Sequence, residues 1–279
     1  MNRRIFVKLV YSYLASTAIC HRCFASESGW PQKGVTGKSN KGEYVDPSLI
    51  GDASWPSPTI SKTNDFLNKK VGCALKGAES SEFRDQIKIV NSSGNSDVDR
   101  MMRFETNVMR DFIGVNPKFA FFDDGSSPNA FATPEKLLGG GDGTVIFGKN
   151  LLWDQVNKRG KNIAQWSTAI VGIMAHEWAH IKQFKMGINV DGKQQELHSD
   201  FVAGWLLAIK ASGGRSFNIK ALANSLYEIG DENFNSPNHH GTPNERVNAM
   251  WAGWNQVFRY NVINGHYAFM NGLKYVGLV

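Results

Sequence analysis

Residues 163–186 read IAQWSTAIVGIMAHEWAHIKQFKM, and this stretch decides the fold. Apolar side chains recur in it at the three- and four-residue spacing of a helix, at Ile170, Ile173, Met174 and Ile181. The spacing predicts one long helix from Ile163 to Met186. Because this helix is strongly apolar ahead of its two histidines, we expect those histidines to lie deep in the protein, where an imidazole needs polar partners.

The polar residues of this helix form the motif His176-Glu177-Trp178-Ala179-His180. Side chains four residues apart share a helix face, so His176 and His180 can present two imidazoles to one metal ion. Two nitrogens, one oxygen and an open position for water suit zinc. Glu177 is rotated by about 100° from His176 at ~3.6 residues per turn, which directs it to zinc-bound water and not to the metal. It can take a proton from that water, whose pKa falls toward ~7 on zinc, and pass it to a leaving amine.

The next predicted helix, Gln194 to Ala211, offers a third ligand. Glu196 and Asp200 are four residues apart and share a face, whereas His198 points away from that face. The arrangement indicates Glu196 as the third metal ligand and Asp200 as a carboxylate that orients a ligand histidine. The alternatives are an exposed face that carries both carboxylates, and His198 as a ligand.

A turn at Pro237 to Pro243 contains two further histidines, His239 and His240. A histidine here could reach the open side of the metal and stabilise an oxyanion. Arg246, on the helix that follows, could support the site or pair with a carboxylate. A surface turn followed by an exposed arginine fits the spacing equally well.

The segments before the long helix predict a small sheet. A helix capped by Ser96 is predicted over residues 97–110, with its apolar face at Met101, Phe104, Val108 and Phe112. Short strands are predicted at Lys118–Phe122, Asn129–Thr133 and Gly143–Gly148, and Glu82–Val90 is either a strand or a short helix.

The other segments predict helices. Asn150 is the predicted cap of a helix from Leu151, and further helices are predicted at Gln194–Ala211, Ile219–Gly230 and Asn244–Tyr260. Few strands first and many helices afterwards predict an α+β fold, with a small N-terminal sheet and a helical C-terminal half.

Together these segments resemble a zinc metallopeptidase of the gluzincin type. The motif at 176–180 is followed by ELHSDFVAG at 196–204, which resembles the ELQAD-x-x-AG stretch of bacterial neutral zinc metallopeptidases. HGTPNERV at 240–247 is similar to the HGT-x-x-x-RV segment of that family. Residues 129–132 and 144–147 also resemble the upper sheet of M48-type and thermolysin-like peptidases. The resemblance covers roughly residues 97–255.

The resemblance implies a zincin-like metallopeptidase domain that binds one Zn²⁺ per chain. Its implied residues are the metal ligands His176, His180 and Glu196, the general acid/base Glu177 and the orienting residue Asp200. It also implies His240 as a transition-state stabiliser, with His239 as the open alternative, and Asn129 and Ala130 as contacts of the substrate backbone by strand addition.

The chain departs from the family pattern in two places. His198 stands where glutamine is common in the bacterial neutral family, and the membrane helices of many M48-like peptidases are absent from the sequence. The choice between the bacterial neutral family and the M48-like peptidases therefore stays open.

The first 25 residues have the pattern of a secretory signal peptide. Arg3-Arg4 precedes an apolar stretch that reaches Cys20, and Cys23-Phe24-Ala25 fits a cleavage site. Cleavage after Ala25 would remove four basic residues and no acidic one, so the net charge would fall from +6 to +2. The alternative is an uncleaved N-terminal anchor. We expect an exported protein, periplasmic or secreted, with no stable transmembrane anchor after cleavage.

The rest of the chain divides into a flexible arm at 26–62 and a metallopeptidase domain at 63–279, with its core at 97–255. The apolar fraction of 42% excludes a wholly disordered or fibrous chain. Only Cys73 would remain after cleavage, so no internal disulfide is expected; it is interpreted as a buried side chain, with a cysteine switch that blocks zinc as the alternative.

These observations predict an exported zinc-dependent endopeptidase that acts on peptide or protein substrates. The alternative is a non-catalytic or chaperone-like zinc-binding protein on the same fold. The sequence contains no Lys/Arg-rich run with interleaved aromatic residues, so nucleic acid is not an expected partner.

Overall fold

The computed structural model describes residues 87–125, 128–159, 163–188, 192–214, 217–229 and 240–279. The predicted signal peptide, the arm at 26–62, Cys73 and His239 lie outside the described residues. The predictions for those parts therefore stay predictions.

A small mixed sheet comes first along the described chain. Its strands are β1 (Ile89–Val90), β2 (Lys118–Phe122), β3 (Ala130–Thr133) and β4 (Thr144–Gly148), in the spatial order β1-β2-β4-β3. Strands β2 and β4 are parallel, and β1 and β3 run antiparallel to their neighbours. Within the described sheet β3 is therefore an edge strand.

Both faces of this sheet are apolar, as alternation of side chains along the strands allows. One face carries Ala120, Phe122, Phe131 and Ile146, which form a small cluster with Ile87. The other face carries Phe121, Ala130, Ala132, Val145 and Phe147, which join the main core beneath the helices. The sheet is thus anchored to the helical half through a single face.

Seven helices complete the described chain, which is an α+β protein as predicted. They are α1 (Ser96–Ile113), α2 (Lys149–Arg159), α3 (Ile163–Lys185), α4 (Lys193–Ser212), α5 (Ile219–Ile229), α6 (Pro243–Phe258) and α7 (Gly265–Tyr275). Helix α3 is central, since it packs against β3, β4, α1, α2, α4 and α5. Among the described residues no helix combines the length and the apolar character that crossing a membrane would need.

The predicted capping residues of α1 and α2 are both wrong. The Asn95 side chain, and not Ser96, caps α1 by accepting hydrogen bonds from the main-chain N–H groups of Asp97 and Val98. Helix α2 already begins at Lys149, so Asn150 lies inside its first turn. In both cases a side chain outside the helix satisfies the free N–H groups at its start.

The buried face of α1 also differs from the predicted one. Met101 is buried as predicted, but Phe104 and Val108 are only half-buried, and Met102, Met109 and Ile113 occupy the core side instead. At ~3.6 residues per turn the predicted residues form a stripe that is rotated by about 80° from the stripe that is buried, so the two stripes overlap only near Met101.

Helix α7 was not predicted from the sequence. It contains Gly265 and Gly272, both poor helix formers, and it follows directly on the turn that ends α6. Its start is fixed by Asn264, whose side chain accepts hydrogen bonds from two main-chain N–H groups, and Ala268, Phe269 and Leu273 bury its inner face. Tertiary packing thus stabilises a helix of weak local propensity.

Helices α4 and α6 cross at very close range. A Cβ atom at Gly204 would lie 2.0 Å from the carbonyl oxygen of Met250, and one at Gly253 would lie 1.8 Å from that of Phe201. Only glycine fits at these two positions. The crossing holds the first turns of α6 beside the first turns of α4.

Candidate metal centre

Three buried side chains converge between α3 and α4. His176 and His180 face Glu196, with the two Nε2 atoms 3.0 Å apart. The Glu196 carboxylate lies 3.2 Å from His176 Nε2 and 3.5 Å from His180 Nε2. The three residues are at most 4% exposed. They are the one such group of three or more potential ligands within the described ranges, and they could hold a metal ion.

The Nδ1 atom of His176, which faces away from the cluster, contacts Asp200, and Asp200 is paired with Arg246. His176 Nδ1 lies 2.8 Å from Asp200 Oδ1, and Arg246 donates to both oxygens of Asp200 over 2.7 and 2.9 Å. Burial alone would raise the pKa of Asp200, but Arg246 and His176 outweigh it and hold that pKa below its ordinary value. Because an ionised carboxylate can only accept, His176 carries a proton on Nδ1, and its Nε2 faces the cluster.

The outer nitrogen of His180 is held by a neutral amide. His180 Nδ1 lies 2.8 Å from Gln183 Oε1, while Gln183 Nε2 donates to the carbonyl oxygen of Gln195 over 3.0 Å. The carbonyl can only accept, so Oε1 is the amide atom that faces His180, and His180 also carries its proton on Nδ1. Gln183 was not predicted: its place three residues after His180 on one helix fits the contact, but spacing alone does not distinguish it from an exposed glutamine.

The cluster combines two imidazoles with an anion. Burial lowers the pKa of His180 to about 4. Burial would raise the pKa of Glu196, but the interactions with His180, His176 and His240 outweigh it and hold that pKa well below its ordinary value. Two imidazole nitrogens and a carboxylate thus share a buried space, an arrangement that favours a cation.

Glu177 and His240 lie at the borders of the cluster. Glu177 is 1% exposed and follows His176 directly on α3. His240 Nδ1 lies 3.7 Å from Glu196 Oε1, and the His240 side chain is 14% exposed. The structure therefore brings His240 to the predicted ligands, and it leaves this histidine the more accessible of the residues around them.

The residues that follow His240 are fixed by two features. Gly241 has a φ of +90°, a conformation that favours glycine, and a Cβ there would lie 3.1 Å from the Leu197 side chain. Thr242 and Glu245 then form a capping box at the start of α6. Glu245 also accepts a hydrogen bond from Lys193 at the start of α4 over 3.0 Å.

His198 is not part of the cluster. Its Nε2 donates to the carbonyl oxygen of Phe269 on α7 over 3.0 Å, and its Nδ1 lies 2.7 Å from Gln183 Nε2. Burial lowers its pKa to about 4, which keeps the ring neutral. Its position agrees with the prediction that it points away from Glu196 and Asp200.

Asn129 and Ala130 lie at the start of β3, which packs along α3. Their main-chain groups are engaged within the chain: Asn129 accepts from Gly148 N–H over 2.9 Å, and Ala130 N–H donates to the Asn129 side chain over 2.9 Å. All four residues of β3 are at most 2% exposed. Their role as substrate contacts stays a prediction.

Comparison of the chain with protein-family models, with curated proteins and with solved structures finds no match. The fold and the site define an α+β protein with a buried histidine–histidine–glutamate group that could hold a metal ion. Any narrower functional class rests on the chemistry of the residues themselves.

Proposed function

We propose that this protein is a zinc-dependent endopeptidase with a zincin-like fold. The observation that carries the proposal is the approach of the two Nε2 atoms to 3.0 Å beside the Glu196 carboxylate. Both Nδ1 atoms have acceptor partners, so both Nε2 atoms face each other and the Glu196 carboxylate. A cation at this point would bind all three groups.

The donor set fits zinc among the common cations. Two imidazole nitrogens and one carboxylate oxygen are typical ligands of catalytic zinc, whereas Ca²⁺ and Mg²⁺ favour sites built from oxygen alone. We assign His176, His180 and Glu196 as the residues that would hold one Zn²⁺ per chain. When bound, zinc would supply Lewis acidity, which polarises a substrate carbonyl and makes a water molecule more acidic.

The neighbouring side chains suit hydrolysis of a peptide bond. Glu177 takes a proton from the attacking water and delivers it to the nitrogen of the leaving amine. His240 donates a hydrogen bond to the carbonyl oxygen as negative charge develops on it. Asp200 and Arg246 keep His176 in the orientation and tautomer that direct its Nε2 toward Glu196.

The substrate would lie in extended form beside β3, with Asn129 and Ala130 as backbone contacts. The packing of β3 along α3 supports this, since an extended peptide beside that strand would pass the motif helix. Binding would require the buried edge of β3 to open toward the peptide.

One observation favours a second candidate, a non-catalytic or chaperone-like zinc-binding protein. The three candidate ligands are at most 4% exposed, and every residue of β3 is at most 2% exposed. Burial of this kind suits a metal site that supports the fold and has no substrate access. The two candidates share the zinc and differ in turnover.

The proposed location of the protein is outside the cytoplasm, in the periplasm or as a secreted protein. It rests on the basic and apolar pattern of the first 25 residues. N-terminal sequencing of the protein recovered from its native host tests it. A chain that begins after Ala25 supports export, and a chain that begins at Met1 and stays in the cytoplasm contradicts it.

Metal analysis together with cleavage of a peptide library tests the proposed function. We expect about one zinc per chain, cleavage that a chelator stops, and no cleavage by Glu177→Gln although its zinc is retained. A wild-type chain without zinc contradicts both candidates. Zinc without cleavage of any peptide contradicts the endopeptidase and favours the binding protein.

A further inference from the structure

We propose that Gln183 is a positioning residue that fixes the tautomer of His180, and that His198 and the C-terminal helix α7 lock Gln183 in place. The inference rests on the proposed metal site. It adds a second device to the charged chain of Asp200 and Arg246, and it involves a helix that no prediction of the site included.

The device is a buried polar network with four members. All four side chains are fully buried: His180, Gln183, His198 and Ser199. Gln183 Oε1 lies 2.8 Å from His180 Nδ1, and Gln183 Nε2 lies 2.7 Å from His198 Nδ1 and 3.1 Å from Ser199 Oγ. Buried networks of this kind hold a single arrangement because each unmet bond is costly.

Two main-chain carbonyls set the direction of the bonds that join His198, Gln183 and His180. The carbonyl of Phe269 can only accept, so His198 carries its proton on Nε2 and offers a lone pair at Nδ1. The carbonyl of Gln195 can only accept, so the Gln183 NH₂ group points toward it and toward His198 Nδ1. The Gln183 carbonyl oxygen is then left for His180, whose Nδ1 must donate.

The consequence is a preset zinc ligand. A histidine ring that carries its proton on Nδ1 has its Nε2 lone pair free for a metal, and here that lone pair faces Glu196. If Gln183 were turned over, its NH₂ group would face His180 Nδ1 and would favour the proton on Nε2, where the metal must bind. His198 prevents the turn, since the reversed amide would place an oxygen against its Nδ1 lone pair.

The test compares two substitutions at one position with a matched control. Gln183→Met removes the Gln183 acceptor at nearly constant size and leaves Ser199 Oγ, 3.2 Å from His180 Nδ1, as the remaining partner, whereas Gln183→Glu keeps an acceptor at position 183. Gln155→Met is the control, because Gln155 is also buried but bonds Ser225 on α5, outside the cluster. The full chain is used, and zinc affinity is measured by competition with a chelator.

We expect Gln183→Met to weaken zinc binding by about 10- to 100-fold, as other partners of metal-bound histidines do. Gln183→Glu should bind zinc at least several-fold more tightly than Gln183→Met, and Gln155→Met should match the wild type. If Gln183→Met binds zinc as tightly as the wild type, or Gln183→Glu as weakly as Gln183→Met, the inference is wrong. Should Gln183→Met fail to fold, a Gln183→Glu chain that folds and loses more than about 100-fold in affinity overturns it as well.

A second measurement separates this inference from the proposed function. Long-range ¹H–¹⁵N spectra of the zinc-free protein report which nitrogen of His180 carries the proton. We expect Nδ1 in the wild type, and an Nε2 proton on His180 overturns the inference even if zinc binds. A wild type that binds no zinc but shows the Nδ1 proton overturns the proposed metal site and leaves the tautomer assignment standing.

Discussion

The two histidines of the candidate metal centre face the same carboxylate but are supported from opposite sides by different chemistry. His176 is backed by an ion pair, Asp200 with Arg246, which joins α3, α4 and α6. His180 is backed by the neutral amide of Gln183, which leads through His198 to α7. Both supports place the proton on Nδ1, so the same result is reached with charge on one side and without charge on the other.

The difference follows from the charge that a buried site can tolerate. Glu196 and Asp200 are two buried carboxylates, and Arg246 contacts both, at 2.7 Å from Asp200 and 3.6 Å from Glu196. A third carboxylate behind His180 would need another buried cation, which is costly to desolvate. The amide supplies the acceptor without that cost. The two supports should therefore respond very differently to pH and to substitutions, including those of the helix-capping residues.

The largest effect is expected for Asp200→Ala, which breaks the charged support. It leaves Arg246 buried at 1% exposure without its closest partner, and the loss of one member of a buried ion pair costs about 3–5 kcal/mol. Urea unfolding of the zinc-free protein measures the free energy of unfolding. The double variant Asp200→Leu with Arg246→Met is the control and should recover part of the loss. A change below about 1 kcal/mol for Asp200→Ala would show that the ion pair does not hold α4 to α6.

The neutral support should respond to acid. Burial lowers the pKa of His198 from 6.5 to about 4. Between pH 6.5 and pH 4, His198 is therefore protonated in the unfolded chain and neutral in the folded chain. Stability therefore falls as the pH falls from 6.5 toward 4, by about 3 kcal/mol if this histidine alone is counted.

Urea unfolding at pH 7, 5.5 and 4.5, with a chelator present, checks this expectation. His198→Gln is the comparison variant, and its stability should depend less steeply on pH over the same interval. Equal slopes for the variant and the wild type would mean that His198 is not held neutral in the fold.

The close crossing of α4 and α6 supports the charged side most directly, because Asp200 lies on α4 and Arg246 lies on α6. Gly253→Ala places a methyl group where the carbonyl of Phe201 lies 1.8 Å away, so the helices must separate, at a cost of about 1–3 kcal/mol. We expect a lower melting temperature and weaker zinc binding, because Arg246 moves with α6. Ala252→Ser, at the neighbouring half-buried position, is the control and should leave both quantities nearly unchanged. Wild-type behaviour of Gly253→Ala would contradict the described crossing.

The smallest effects are expected at the capping residues of α6 and α7. The α6 cap belongs to the charged support and the α7 cap to the neutral one. Thr242 caps α6 on the charged side, and Asn264 caps α7 on the neutral side. Replacement of either by alanine should cost about 1 kcal/mol in the free energy of unfolding. Thr242→Ala should also weaken peptide cleavage, since it loosens the turn that carries His240, whereas Asn264→Ala should leave cleavage rates close to the wild type. Identical losses of cleavage in both variants would argue against a role for that turn.

The charged support could be predicted from the sequence, and the neutral one could not. Spacing of four residues placed His176 with His180 and Glu196 with Asp200, because a helix repeats its faces at that interval. Gln183 has the right spacing too, but glutamine is common on exposed helix faces and carries no charge that would mark it. Its partners Gln195 and Phe269 act through main-chain carbonyls, which no sequence pattern reveals.

The fold was predicted to a similar degree. The strands and the long helices have regular apolar periods, so their positions agree with the structure to within a few residues. The predicted start of α2 was wrong because its cap is Asp124, which is distant in sequence. The Asp124 side chain accepts hydrogen bonds from the N–H groups of Asn150 and Leu151. Helix α7 depends on contacts with α1, α4 and α6 and has little helical preference of its own.

The zinc content of the purified full chain, compared with that of Glu196→Gln and of His180→Ala, tests the central claim most directly. We expect about one tightly bound zinc per wild-type chain, and a loss of at least tenfold in affinity in each variant, since both remove a ligand from the group around the 3.0 Å contact of the two imidazoles. A wild-type chain that binds no zinc, or variants that bind it as tightly as the wild type, would contradict the assignment of His176, His180 and Glu196 as a metal site.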